Sequence, residues 1–425
     1  MALVKPRLLW FGDAVVNTGF AKVTHSILPH LLDEWEIHVV GLNFMGDPGH
    51  SYPYPIYPAS SRGDLWGLNR FTELLNKLLP DAIVILNDSW IAARFASEFN
   101  RGHIPMAAYM PVDARNIPPY SAERLNALDL AIFYTKFGEN ECRQAGFTGL
   151  SEIVPHGVDT KIYRPLDRQM CRYRLNFSQS MPGDSFIFGN VNRNSPRKRL
   201  DLSIQYFSEW VHQRRIPKNV FLYLHCSQQD QARIDAAQLA SYYGVYDRLM
   251  LPPEDNFSAA EGFPEWQMPY VYSCMDVQIS TTLGEGWGLS TIESMACGVP
   301  QIVPQYSALG EWAAGAVHFV PCTSHQTHIQ INTIGGVADK DAFIEALDIH
   351  YRNPELRAYN GAKALTRAME PQFRWEAVGD AFRRHLGKML IDAHERVKKE
   401  KEAEDAKVSQ AGQLPEEGND RPGSE

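Results

Sequence analysis

Three groups of residues in this chain could act on a ligand that carries both hydroxyls and phosphates. Glu285 and Glu293 flank the run Gly286-Trp287-Gly288-Leu289-Ser290. Their spacing puts one carboxylate in a turn and the other about two helical turns further on, near the same side. Two carboxylates on one cleft can accept hydrogen bonds from two parts of a long polyhydroxyl ligand. The glycines allow close backbone approach, and a helix starting around Gly288 to Ser290 aims its first free N–H groups into the turn, where a phosphate or sugar oxygen can sit. The second group is the basic run Arg193-Asn194-Ser195-Pro196-Arg197-Lys198-Arg199. Fixed cations there, shielded from water, stabilise negative charge that develops on a departing phosphate. The third is Asp113, after the apolar run IPMAAYM, at the strand end where α/β proteins bind ligands. It can bind or deprotonate a hydroxyl, or cap the loop beside Arg115.

Alternating strands and helices position these groups. Pro6 to Gly12, Glu36 to Phe44, Ala82 to Asn87, Ile104 to Met110 and Leu128 to Thr135 read as strands, with helical spacing at Phe20 to Leu31, Leu65 to Leu79 and Lys136 to Ala145. That period implies parallel βαβ units. Thr18 is a helix cap between Gly19 and the first strand. Ser185 to Asn192, Val220 to Cys226, Arg248 to Leu251, Asp276 to Thr282, Gln301 to Val303 and Ala316 to Val320 make a second set of strands, and two helical stretches span 340 to 368. Residues 46 to 66, rich in proline and aromatics, read as a surface loop, packed on itself or touching an acceptor. Residues 254 to 266 read as an irregular insertion near the cleft mouth.

Glu285-Gly286-Trp287-Gly288-Leu289-Ser290, followed by Glu293-Ser294-Met295-Ala296-Cys297-Gly298-Val299-Pro300, resembles the E-x7-E signature of retaining, GT-B-fold nucleotide-sugar glycosyltransferases of the family 4 type. Arg193 and Lys198 resemble that family's G-R-x-x-x-x-K pair. His156-Gly157-Val158-Asp159, ending in Tyr163-Arg164-Pro165, is similar to its junction segment, and Gly19 matches the glycine of its first loop. The resemblance implies two facing Rossmann-like domains: an acceptor domain over 1–167 and a donor domain over 168–370. A helix over 371–394 crosses back to the first domain; by its composition, 395–425 reads as a charged tail, a frayed helix end followed by disorder. The resemblance further implies that Glu293 binds the donor ribose and Glu285 the donor sugar. Gly19 and the backbone of Gly286, Trp287, Gly288, Leu289 and Ser290 face sugar and diphosphate, while Arg193 and Lys198, rather than Arg197 or Arg199, hold the phosphates. Many members carry a histidine near Asp113; this chain reads Tyr109-Met110-Pro111-Val112-Asp113 instead.

The chain has 425 residues, 44% of them hydrophobic, enough for two cores, and a net charge of −9. Six cysteines without a C-x-x-C pair read as reduced thiols. No apolar run is long enough to span a bilayer and no signal peptide is evident, so a cytoplasmic protein without integral membrane association is expected. A nucleotide-diphosphate sugar, a UDP-sugar first, is the expected donor substrate, with no further cofactor and no metal. The acceptor stays open between a hydroxyl on a glycan, lipid-linked sugar or small metabolite and the hydroxymethyl group of a modified pyrimidine in phage-type DNA. DNA binding meets an obstacle in residues 1–167, which carry 14 Lys+Arg against 18 Asp+Glu. A non-transferring nucleotide-sugar-binding protein or epimerase of the same fold is the reading from another class.

Overall fold

A computed structural model describes residues 5–46, 51–59, 63–64, 66–177, 181–228, 234–252 and 262–411. Parts of the 46–66 loop, most of the 254–266 insertion and the chain after 411 lie outside the described residues.

The first sheet contains β1 (Arg7–Asp13), β2 (Glu36–Leu42), β3 (Ile56–Pro58), β4 (Ala82–Leu86), β5 (Met106–Met110), β6 (Leu130–Phe133) and β7 (Ser151–Ile153). Its order is β3-β2-β1-β4-β5-β6-β7, and every described pairing is parallel. The second sheet contains β8 (Phe186–Val191), β9 (Val220–His225), β10 (Leu249–Met250), β11 (Val277–Ile279), β12 (Gln301–Pro304) and β13 (His318–Val320), in the order β10-β9-β8-β11-β12-β13. Central strands are buried on both faces, as the fully buried β4, β5 and β8 illustrate, which is why they read as continuous apolar runs. Both sheets reverse direction of winding beside their first strand. Parallel sheets bind ligands in the crevice at that reversal, outside the strands' carboxyl ends.

Two elements were not evident in the sequence. Ile56–Pro58 inside the proline-rich loop pairs with β2 as an edge strand, the one place where a strand tolerates proline. The hairpin β14 (Cys322–His328) and β15 (Thr333–Ala338) leaves the second domain and reaches the first. There Arg115 and Ile334 exchange backbone hydrogen bonds of 2.9 and 2.8 Å.

The final helix, Trp375–Ala411, continues well past residue 394, so the segment from 395 to 411 is helical rather than tail. It returns to the first domain. Phe382 packs on Trp10 and Tyr109, and Arg383 pairs with Glu34 and donates to the His30 carbonyl. One apolar cluster therefore runs from Trp10 and Val84 through Trp375 and Phe382 to Ile187 and Ile292, joining both sheets. Among the described residues no helix is long and apolar enough to cross a membrane.

Candidate active site

The two winding reversals face each other across a cleft of about 1010 Å³, lined among others by Gly19, Lys22, Tyr52, Arg193, Leu289 and Glu293. On the first domain, β1 ends in Asp13, whose carboxylate accepts from the Thr18 hydroxyl (2.6 Å) and Asn43 (3.0 Å). Thr18 in turn caps the Gly19–Ile27 helix, accepting from the Ala21 amide at 3.1 Å. Gly19 sits where this helix meets the second domain: a Cβ there would lie 3.3 Å from Leu289 Cδ1.

On the second domain, β8 leads to Arg193, whose guanidinium is exposed on the cleft and makes no hydrogen bond or ion pair among the described residues. The turn after β11 leads to the Leu289–Ala296 helix. Gly288 caps it in the left-handed region, with φ of 97°, where a side chain would strain the backbone. Helical bonding begins with the Thr291 and Ile292 amides, so those of Leu289 and Ser290 belong to the unsatisfied first turn. Glu293 is buried on this helix. Its Oε1 accepts from Lys22 Nζ at 2.5 Å and its Oε2 from the Tyr272 hydroxyl at 2.7 Å.

Beyond this open part lies a closed one. Glu285 Oε1 accepts from Lys198 Nζ at 2.5 Å, and Oε2 lies 3.2 Å from Arg197, which also donates to the Gly284 carbonyl. Arg197 reaches across the cleft to Asp113, with Nε 3.1 Å from Oδ2. The domains meet tightly here because two glycines permit it. A Cβ at Gly284 would lie 1.8 Å from the Asp113 carbonyl oxygen, and one at Gly286 2.3 Å from Pro111 Cβ. Burial alone would raise the Glu285 carboxyl, but Lys198 and Arg197 outweigh it and hold the pKa down to about 2. Burial pulls the Lys198 ammonium below its usual value, with Arg197 adding to the pull and Glu285 opposing it.

The side chains of Trp287, His156 and Asp113 are placed as follows. The Trp287 ring is buried and stacks on Trp312 at 4.8 Å, while its carbonyl accepts from the Trp312 indole, so its side chain is a packing element behind the turn. His156 lies between Tyr109, Tyr134, Trp287 and Trp375, and burial drives its pKa down to about 3. Asp113 is paired with Arg197, not Arg115, which reaches Glu141 at 4.0 Å and the Tyr306 ring instead. Arg197 joins this cluster through Glu285 in its own domain and Asp113 in the first, contacts between residues far apart in the chain that a local motif does not reveal. Arg199 turns away to Asp201 and Gln326.

Asp88, two residues beyond β4, was missed altogether. It keeps an exposed surface, while the protein packed around its carboxyl, and then the charges of Asp113 and Asp13, push its pKa up to about 6 against the opposing charge of Arg197. Its position just past the strand next to β1, at the winding reversal, was the available signal. In the 46–66 loop, Tyr52 stacks on His25 with rings 4.1 Å apart and nearly parallel, and buried Tyr54 lies beside them with its hydroxyl 2.7 Å from His25 Nδ1.

Comparison with known proteins agrees with this geometry. A model described as "Family 4 Glycosyltransferase in conflict systems" matches residues 173–382. A D-inositol 3-phosphate glycosyltransferase of Acidothermus cellulolyticus is 26% identical over 161 residues, 37% of this chain and 33% of that protein. The chain spans half or less of the length of the first such relatives. Among solved structures, sucrose-phosphate synthase from Thermosynechococcus elongatus superposes with a TM-score of 0.68 at 17% identity, over 92% of this chain and 100% of that one. Anabaena HepE in complex with UDP-glucose gives 0.68 at 15% identity, over 90% and 100%.

Proposed function

We propose that this chain, which matches a family 4 glycosyltransferase model over residues 173–382 and superposes on a solved structure over 92% of its length, moves a hexose from a UDP-sugar to an acceptor hydroxyl with retention of configuration. One observation carries the reading. An uncommitted guanidinium, the free first-turn amides of a helix and a buried carboxylate line one cleft at facing winding reversals. A nucleoside diphosphate needs all three: cation and amides for phosphate, carboxylate for ribose hydroxyls. UDP-glucose is the donor bound by the solved neighbour, which supports that nucleotide and sugar as the first to test.

In this reading Glu293 accepts from the ribose, and Arg193 with the Leu289 and Ser290 amides holds the diphosphate. The hexose enters the closed part, where Glu285 accepts from its hydroxyls and Lys198 turns to the diphosphate oxygens as the bond to the sugar breaks. Charge on the leaving group is then met by a cation already positioned and largely dehydrated, which favours the transition state over the ground state. Departure and attack take place on the same face. Asp88 and Asp113 border the acceptor's approach from the first domain, and Asp88, with its raised pKa, is the group suited to holding the acceptor hydroxyl.

A glycan, lipid-linked sugar or small metabolite is the first choice of acceptor. The stacked Tyr52–His25 pair, with Tyr52 exposed, favours a second reading, a hydroxymethylpyrimidine of DNA, since aromatic faces receive unstacked bases.

A thermal-shift panel of UDP-, GDP- and ADP-glucose, with EDTA present, tests the donor. Stabilisation by UDP-glucose alone is expected, followed by sugar transfer when glycans and hydroxymethylated DNA are offered with it. Stabilisation without sugar release or transfer to any acceptor would instead favour a non-transferring protein. No response to any donor would overturn the reading.

A further inference from the structure

We propose that Lys22, supplied by the first domain, positions Glu293 for the donor ribose and makes that recognition depend on closure of the two domains. The inference rests on the assignment of Glu293 to the ribose. Lys22 lies one turn into the Gly19–Ile27 helix, and its ammonium touches three oxygens that belong to the junction and the second domain. They are Glu293 Oε1 at 2.5 Å, Glu265 Oε1 at 2.7 Å and the Tyr163 hydroxyl at 2.6 Å. It also stands 4.3 Å from the centre of the Tyr163 ring.

A carboxylate offers about four lone-pair sites. Tyr272 and Lys22 take one on each oxygen of Glu293, and the remaining pair suits two hydroxyls of a vicinal diol. The arrangement works only while Glu293 is ionised, because a protonated carboxyl loses acceptor capacity. With 8% of its side chain exposed, Glu293 has little water to stabilise its charge, and Lys22 is its ion-pair partner among the described residues. Burial disfavours the Lys22 ammonium, but the charges of Glu293 and Glu265 overcome it, so its pKa is raised and it remains a cation.

Lys22 belongs to the first domain and both carboxylates to the second. Opening the cleft leaves Glu293 and Glu265 without their cation, so the ribose site is complete only when closed. By reciprocity, a nucleotide that binds Glu293 favours closure. Glu265 gives Lys22 a second partner, which holds the ammonium beside the ribose site when diol hydroxyls crowd Glu293.

Calorimetric titration of the full chain at pH 8 with the diphosphate chosen by the donor panel, UDP in the expected case, tests this. Lys22→Met should weaken binding about thirtyfold or more relative to wild type. Lys22→Arg should restore most of the affinity, a rescue that a packing role alone does not require. Glu293→Gln should bind weakly, and adding Lys22→Met to it should change little. If Lys22→Met binds like wild type while Glu293→Gln is weak, the role of Lys22 is overturned and the ribose assignment stands. If Glu293→Gln binds like wild type, both fall. Thermal unfolding checks that the variants fold. Should Lys22→Met not fold, Lys22→Arg decides, since a loss of affinity in that folded variant as large as that of Glu293→Gln overturns the proposal.

Discussion

The open and closed parts of the cleft handle charge in opposite ways. Around Arg193 and the first turn of the Leu289–Ala296 helix, donors face the cavity uncommitted. Around Glu285, Lys198, Arg197 and Asp113 every charge already has a partner, and the cavity does not reach them. The difference follows from burial. Arg193 is exposed, so water keeps its charge stable until a phosphate arrives. Lys198 and Glu285 are shielded, and either alone would move toward its neutral form. Each preserves the charge of the other until a ligand exchanges partners with them. The open part is therefore suited to affinity and the closed part to turnover.

The largest test of that contrast is Lys198→Met. Turnover should fall about a hundredfold to a thousandfold, with donor affinity changed far less. The protein should also lose stability, because Glu285 keeps only Arg197 as a neighbouring cation. Equal losses in affinity and turnover would erase the distinction between the two parts. Arg193→Met comes next. It should weaken nucleoside diphosphate binding about tenfold or more and leave thermal stability unchanged, since no described residue pairs with Arg193. A lowered melting temperature would mean that the open part is less uncommitted than its geometry indicates.

The smallest effect separates the parts by pH. The Glu285 carboxyl is held near 2, so its ion pairs stabilise the fold fully above the usual carboxylate value of 4.5 and lose that contribution as pH falls from there toward 2. His156, held neutral by burial down to about 3, acts earlier. Below its ordinary value of 6.5 the unfolded chain binds a proton that the folded one refuses, and stability falls by up to about 1.4 kcal/mol per pH unit. Between pH 6.5 and 4.5, His156→Gln should flatten the loss of melting temperature. An unchanged slope would assign the loss to other groups, the buried His225 and His350 first among them.

Much of this architecture was legible in the chain. The strand before Arg193, the strand and turn before Glu285 and the cap at Thr18 are local patterns, and local sterics and burial on both sheet faces produce them. The helix to Ala411 was foreshortened because residues after 394 are charged and lack a continuous apolar stripe. The β14-β15 hairpin escaped notice because β14 is largely exposed, and strands without a buried face carry a weak alternation signal. Asp88 and Arg197 were missed because each owes its significance to a carboxylate or cation on another element.

The sequence by itself determined most of the elements, the two parallel sheets and the placing of Glu285 and Glu293 on either side of one turn, since these depend on periodicity and backbone preference over a few residues. Tertiary structure alone decided which charges meet. Lys22 and Glu293 are 271 positions apart, and Arg197 and Glu285 are 88 apart, yet each pair touches. The strength of an ion pair depends on distance and on exclusion of water. Position along a chain records neither, so the Arg197–Glu285 contact exists only once the second domain has folded, and the Lys22–Glu293 and Arg197–Asp113 contacts only where the two domains meet.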